Sequence, residues 1–148
     1  IVAEIAAYYR SRGLTLADGI EEIYKEYGYY AEKTISVTLS GVDGAEQIKA
    51  IMAKFRNNAP KEWNATEITV VEDFKAQTST AADGTVTALT TPPSDVLKYS
   101  LADGSWLAVR PSGTEPKIKF YIAVVGESNE DSQAKIANIE PEINAFVK

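Results

Sequence analysis

Val96-Leu-Lys-Tyr-Ser-Leu-Ala-Asp-Gly-Ser-Trp-Leu-Ala-Val-Arg-Pro-Ser-Gly-Thr-Glu-Pro-Lys-Ile-Lys-Phe-Tyr-Ile-Ala-Val-Val125 reads as a hairpin followed by a third strand entered through a polar loop. Val96 to Leu101 and Ser105 to Arg110 flank Asp103-Gly104. Asp-Gly between apolar runs signals a hairpin, because both turn positions tolerate positive φ. From Lys117 to Val125, Ile118, Phe120, Ile122 and Val124 alternate onto one face, as in a strand buried on one side.

Outward from that stretch the chain alternates element types. Thr34 to Leu39 puts Ile35, Val37 and Leu39 on one face and Thr and Ser on the other, which predicts a half-buried strand. Gly41 to Gly44 is a turn. Ala45 to Phe55 is an amphipathic helix with Ile48, Ile51, Met52 and Phe55 inward. Thr66 to Val71 is a second strand. Residues 72 to 94, with Asp83-Gly84 and Pro92-Pro93, read as a ragged strand or a loop. Ser128 to Lys148 is a closing helix carrying Ile136, Ile139, Ile143 and Phe146 on one stripe, with Pro141 expected to kink or restart it. The sum is an α+β domain, an antiparallel sheet with helices packed on one face.

Residues 1 to 29 are of another kind. Ile1, Ile5 and Tyr8 or Tyr9 recur at helical spacing up to Gly13. Thr15 is a good N-cap with Asp18 three residues on, and Ile20, Ile23, Tyr24 and Tyr27 form a stripe ending at Gly28. The character changes after Tyr30, so a boundary is expected there: residues 1–30 as a helical tail and 31–148 as the main domain. A start at Ile1 within a helical pattern is the mark expected of a piece of a longer protein.

Composition excludes several kinds of chemistry. The 148 residues carry 21 acidic and 15 basic side chains, a net charge of −6, so general binding to nucleic acid or to anionic membranes is not expected. No apolar run approaches bilayer length, and the opening Ile-Val-Ala-Glu lacks the basic region of a signal peptide; a cytoplasmic location is expected. There is no cysteine for disulfides or thiolate chemistry. There is no histidine for an imidazole base or a His-ligated metal. The acid pairs Glu21-Glu22 and Glu72-Asp73 read as solvated faces, and no metal site is expected.

Against that acidic background, Arg110-Pro-Ser-Gly-Thr-Glu-Pro-Lys117 stands out. Pro111 fixes φ, and Gly113 allows left-handed geometry and close approach of the backbone. Successive amides of such a turn can form an anion-binding concavity. Ser112 and Thr114 add hydroxyls, Arg110 can grip two phosphate oxygens at once, and Lys117 adds a compact charge. The same composition also suits an ordinary surface loop, with Arg110 paired to Glu115 or another acid.

The run Arg110-Pro-Ser-Gly-Thr-Glu-Pro-Lys-Ile-Lys-Phe-Tyr-Ile122 resembles the phosphate-binding signature of the α-D-phosphohexomutases, the phosphoglucomutase/phosphomannomutase family. Asp95-Val-Leu-Lys-Tyr99 and Leu101-Ala-Asp-Gly-Ser-Trp106 look like the hairpin that leads into that loop. Glu22-Ile-Tyr-Lys-Glu-Tyr-Gly-Tyr-Tyr30 looks like the helix end joining the third domain of those enzymes to the fourth. The likeness covers nearly the whole chain and is nearest to the bacterial phosphoglucomutase branch.

The resemblance implies a fourth, C-terminal domain with a TATA-binding-protein-like sheet. In such an enzyme the first domain supplies a phosphoserine, the second a magnesium-binding aspartate loop, and the third reads sugar hydroxyls. The fourth holds the phosphate that is not transferred. The parent would be an isomerase that interconverts hexose 1- and 6-phosphates by intramolecular phosphoryl transfer. Carried onto this sequence, Arg110, Ser112, Gly113 and Thr114 are the phosphate ligands, with Lys117 beside them. Gly113 is asparagine in some relatives, so only its amide can contribute here. No phosphoserine loop or Asp-x-Asp-x-Asp magnesium site is visible, so the chain should bind no Mg2+ and be inert as a mutase alone. Its partners would be a phosphosugar and the other domains of the parent. The rival expectation is a free-standing interaction module using the tyrosine-rich helices, with self-association through residues 1–30. Trp106 is expected to pack, Trp63 to be a partly exposed loop anchor, and Lys119 to be a solvated neighbour of Lys117.

Overall fold

A computed structural model describes residues 1–39 and 43–147. Helices α1 (Val2–Ser11) and α2 (Leu16–Tyr27) come first. Strand β1 (Tyr29–Thr38) and helix α3 (Gly44–Asn58) follow. Then come β2 (Glu62–Trp63), β3 (Thr66–Asp73), β4 (Thr78–Ala81), β5 (Val86–Ala88), β6 (Leu97–Leu101), β7 (Trp106–Pro111) and β8 (Lys117–Gly126), and the chain closes with α4 (Asn129–Val147). The turn expected at Gly41 to Gly44 falls partly outside the described residues, and Gly44 already opens α3; Lys148, the expected last residue of the closing helix, is also outside them.

All strand pairings are antiparallel, in the order β1-β8-β7-β6-β3-β4-β5, with β2 added to β3. This is the expected α+β arrangement, a mixed fold with helices on one side of an antiparallel sheet. The period-two pattern of β8 turns Ile118, Phe120, Ile122 and Val124 inward, beside Leu107 and Val109 of β7 and Leu97, Tyr99 and Leu101 of β6. Ile48, Ile51, Met52 and Phe55 of α3 and Ile136, Ile139 and Ile143 of α4 close over them. Phe55 is fully buried, with ring centroids of Phe146, Phe120, Trp63 and Tyr99 at 4.5, 5.6, 6.3 and 6.3 Å. The opposite face of the β6–β8 region carries Lys98, Trp106, Ala108, Arg110, Lys119 and Tyr121.

The two Asp-Gly turns share one geometry. Gly104 and Gly84 have φ of 85° and 87°, and each donates its N–H back three residues, to Leu101 and Ala81. Asp103 and Asp83 each accept the backbone N–H two residues on, at 2.9 and 2.8 Å. Only the glycine is left-handed, so these are three-residue hairpin loops and not the two-residue turn expected at Asp103-Gly104.

Four other expectations are corrected. β1 is ten residues long rather than starting at Thr34, because every residue from Tyr29 to Thr38 has a register partner on β8. Residues 72–94 contribute the end of β3 together with the hairpin β4–β5. Trp63 is 2% exposed, because the β2–β3 hairpin lays it between Phe55 and Phe146. Pro141 does not restart the helix but lies inside an uninterrupted α4; buried Ile136, Ile139 and Ile143 on both sides hold the helix to the sheet across the lost N–H.

The N-terminal helices stand apart from the core. α2 has the expected capping box, Thr15 accepting from Asp18 N–H while Asp18 accepts from Thr15 N–H, and it ends at Gly28 with φ 103°. α2 touches the sheet chiefly at Tyr29, whose ring lies 5.6 Å from that of Tyr24 and whose hydroxyl donates to Glu21. Ile5, Tyr8, Ile20, Ile23 and Tyr27 are exposed.

Candidate functional site

The link between β7 and β8 is closed at its base by a 2.7 Å hydrogen bond from Ser112 N–H to Lys117 O. A second, from Lys117 N–H to Glu115 O at 2.7 Å, tightens its far side. Ser112 Oγ accepts from Glu115 N–H at 3.3 Å and, weakly, from Thr114 N–H at 3.5 Å. A hydroxyl that accepts from its own loop keeps its proton free to donate outward. Leu39 N–H donates to Pro116 O, and Gly44 lies so close to Leu39 O and Pro116 that a Cβ there would stand 2.2 and 3.1 Å from them. The loop is thus tied to the end of β1 and the start of α3.

Arg110 and Lys119 are register partners across β7 and β8. Both point away from the core, since their neighbours Val109, Ile118 and Phe120 fill it. Among the described residues neither donates a side-chain hydrogen bond or meets a carboxylate, although eleven ion-pair contacts occur elsewhere among those residues. Together with Ser112, Gly113, Thr114 and Tyr121 they line one cavity. Like charges set directly opposite on a sheet repel, so the pair is a local cost to the fold.

Lys117 is placed differently. Its ammonium lies 3.1 Å from Glu115 Oε2, and the side chain is 28% exposed. It stands at the neck of the loop rather than in the cavity with Arg110. Lys119, expected as a solvated neighbour of Lys117, is instead set against Arg110 by the strand register.

Gly113 does not use the left-handed geometry open to glycine: its φ lies outside that region, and a Cβ there would meet no atom within 4 Å. The fold itself therefore makes no demand for glycine at this position. What glycine supplies is backbone N–H open to approach from outside.

Behind the loop a second cavity lies against α3, lined by Ile48, Lys49, Met52, Asp95 and Glu115 among others. Asp95 is held by Arg56, which also donates from Nε to Asp73 at 2.7 Å. Burial alone would raise the Asp73 carboxyl, but the hydrogen bonds from Arg56 and from Ala76 and Lys75 N–H hold it below the usual range.

Among the described residues no group of three or more Asp or Glu could hold a metal ion, and no helix is long and apolar enough to cross a membrane.

Comparison with known proteins places the chain in a family. The family described as "Phosphoglucomutase/phosphomannomutase, C-terminal domain" matches residues 43–145. A phosphoglucomutase of Staphylococcus aureus (strain bovine RF122 / ET3-1) is 35% identical over 137 residues, 92% of this chain and 25% of that protein. A phosphoglucomutase of Staphylococcus haemolyticus (strain JCSC1435) is 32% identical over 139 residues, 93% of this chain and 25% of that protein. The chain spans about a quarter of the length of these curated relatives. Among solved structures, an AHSA1-like protein from Aeromonas hydrophila aligns with a TM-score of 0.40 and 16% identity over 79% of this chain and 92% of that one, too slight a likeness to bear on fold or function.

Proposed function

This chain belongs to the phosphoglucomutase/phosphomannomutase C-terminal domain family, and from that premise we propose that its β7–β8 loop holds the phosphate of a phosphosugar. The observation that carries the reading is the unpaired Arg110–Lys119 couple on the loop's cavity. Two uncompensated cations side by side in a chain of net charge −6 are explained by a doubly negative ligand.

In this reading Arg110 grips two phosphate oxygens and Lys119 supplies a second charge. Ser112 and Thr114 donate from their hydroxyls, and Gly113 presents its N–H at close range. Lys117 assists from the neck of the loop. Nothing in this set cleaves or forms a P–O bond; it fixes one end of a substrate so that chemistry can take place at the other.

The parent enzyme would interconvert hexose 1- and 6-phosphates, with its phosphoserine and its Mg2+ site on other domains. Magnesium there would offset charge on the transferring phosphoryl group. Alone, this chain would be inert as a mutase. Residues 1–30 would be the tail of the preceding domain, and the exposed Ile20, Ile23 and Tyr27 the surface turned toward it.

Phosphate titrations of Arg110→Ala and of Lys61→Ala, a lysine remote from the loop, test the reading. Arg110→Ala should weaken binding about tenfold or more, and added salt should weaken it further. An equal effect of the two variants would contradict it. The exposed helices favour one rival, a self-associating module. Sedimentation that shows oligomers abolished by removing residues 1–28, with no response to phosphate, would favour that rival.

A further inference from the structure

Glu115 is an anomaly in a loop built for an anion. Its backbone is fixed on both sides, the N–H to Ser112 Oγ and the carbonyl to Lys117 N–H. Its side chain therefore stays within the loop's neighbourhood, where Oε2 lies 3.1 Å from Lys117 Nζ. The Glu115 side chain is 61% exposed and that of Lys117 28%, so water shields the pair and its strength is small. A weak pair is an exchangeable one.

The charges carried by the loop and its flanking strand positions 110 and 119 are Arg110, Lys117 and Lys119 against Glu115, while Lys49 and Asp95 of the cavity behind it offset each other. They leave a net of two positive charges, which matches a phosphate monoester in its dianionic form. We propose that Glu115 is a built-in counter-anion that sets the affinity of the loop: it holds Lys117 until a dianionic phosphate competes for the ammonium. This rests on the phosphate-holding reading above and adds to it a residue that opposes binding. The carboxylate repels the incoming dianion, and taking Lys117 from it costs a contact. Both effects keep the loop from retaining its ligand.

The test is a double-mutant cycle on the 148-residue chain, with inorganic phosphate and glucose 1-phosphate as probes. Glu115→Gln should bind both about three- to fivefold more tightly. Lys117→Met should weaken binding more in the Glu115→Gln background than in the wild type, because there the ammonium no longer has to be taken from a carboxylate. Unchanged or weaker binding by Glu115→Gln would overturn the proposal and would mark Glu115 as an ordering residue of the loop. Strictly additive effects would also overturn it, since Lys117 would then stay with Glu115. Absence of phosphate binding by the wild type would instead overturn the underlying reading, and the proposal with it.

Discussion

Arg110 on β7 stands directly opposite Lys119 on β8, on the sheet face away from the core, and among the described residues neither has an acidic partner. The arrangement opposes folding and favours an anion. Lys119→Gln should therefore raise stability by about 0.2–0.5 kcal/mol in urea unfolding while weakening phosphate binding about fivefold. If the variant lost stability as well as binding, Lys119 would be a structural residue.

Gly113→Ala separates fold from site in the other direction. Backbone conformation and open surroundings allow the methyl group, so the melting temperature should stay within about 1–2 °C of wild type. Phosphate binding should fall about tenfold, because the Cβ stands where a ligand must approach the backbone. Wild-type affinity in this variant would remove Gly113 from the site.

Tyr99 is a control of the opposite kind. Fully buried, it donates its hydroxyl to Phe55 O at 2.9 Å, one of the carbonyls that the end of α3 leaves without a helical partner. Burial pushes its phenol pKa well up, so it stays protonated over the accessible range. Tyr99→Phe leaves that carbonyl unmatched and should cost about 1–2 kcal/mol in urea unfolding, with phosphate affinity unchanged.

Stability should fall in acid for a specific reason. The Asp73 and Asp103 carboxyls are held below their ordinary pKa of 3.8 despite burial, Asp73 by Arg56 and two backbone N–H groups, Asp103 by Lys135 and Ser105. A depressed carboxyl contributes stability that is complete above its unfolded pKa and is lost as pH drops through its folded one. Unfolding free energy should thus be level above about pH 5 and decline below about pH 4. Asp73→Asn should lower the plateau and flatten the decline. An equally steep acid limb in that variant would place the titrating group elsewhere.

The parts of this fold that repeat a local period were legible from the sequence. β8 announces itself by Ile118, Phe120, Ile122 and Val124, and α2 by Thr15, Asp18 and Gly28. The parts set by a neighbour were not. Tyr29 to Lys33 have no alternation of their own and become strand by pairing with β8. Trp63 is buried by a hairpin of which β2 supplies two residues, too short for any pattern. In the proposed site, Arg110, Ser112, Gly113 and Thr114 lie close in sequence and line one cavity. Lys119 joins them only through strand register, and the pairing of Lys117 with Glu115 is a matter of side-chain geometry.

The most direct test of the phosphate-holding account is an NMR titration of isotope-labelled protein with glucose 1-phosphate, inorganic phosphate and glucose. The account predicts saturable shifts confined to residues 110–119 with both phosphates and none with glucose. No response to either phosphate up to tens of millimolar, or shifts centred on the N-terminal helices, would contradict it.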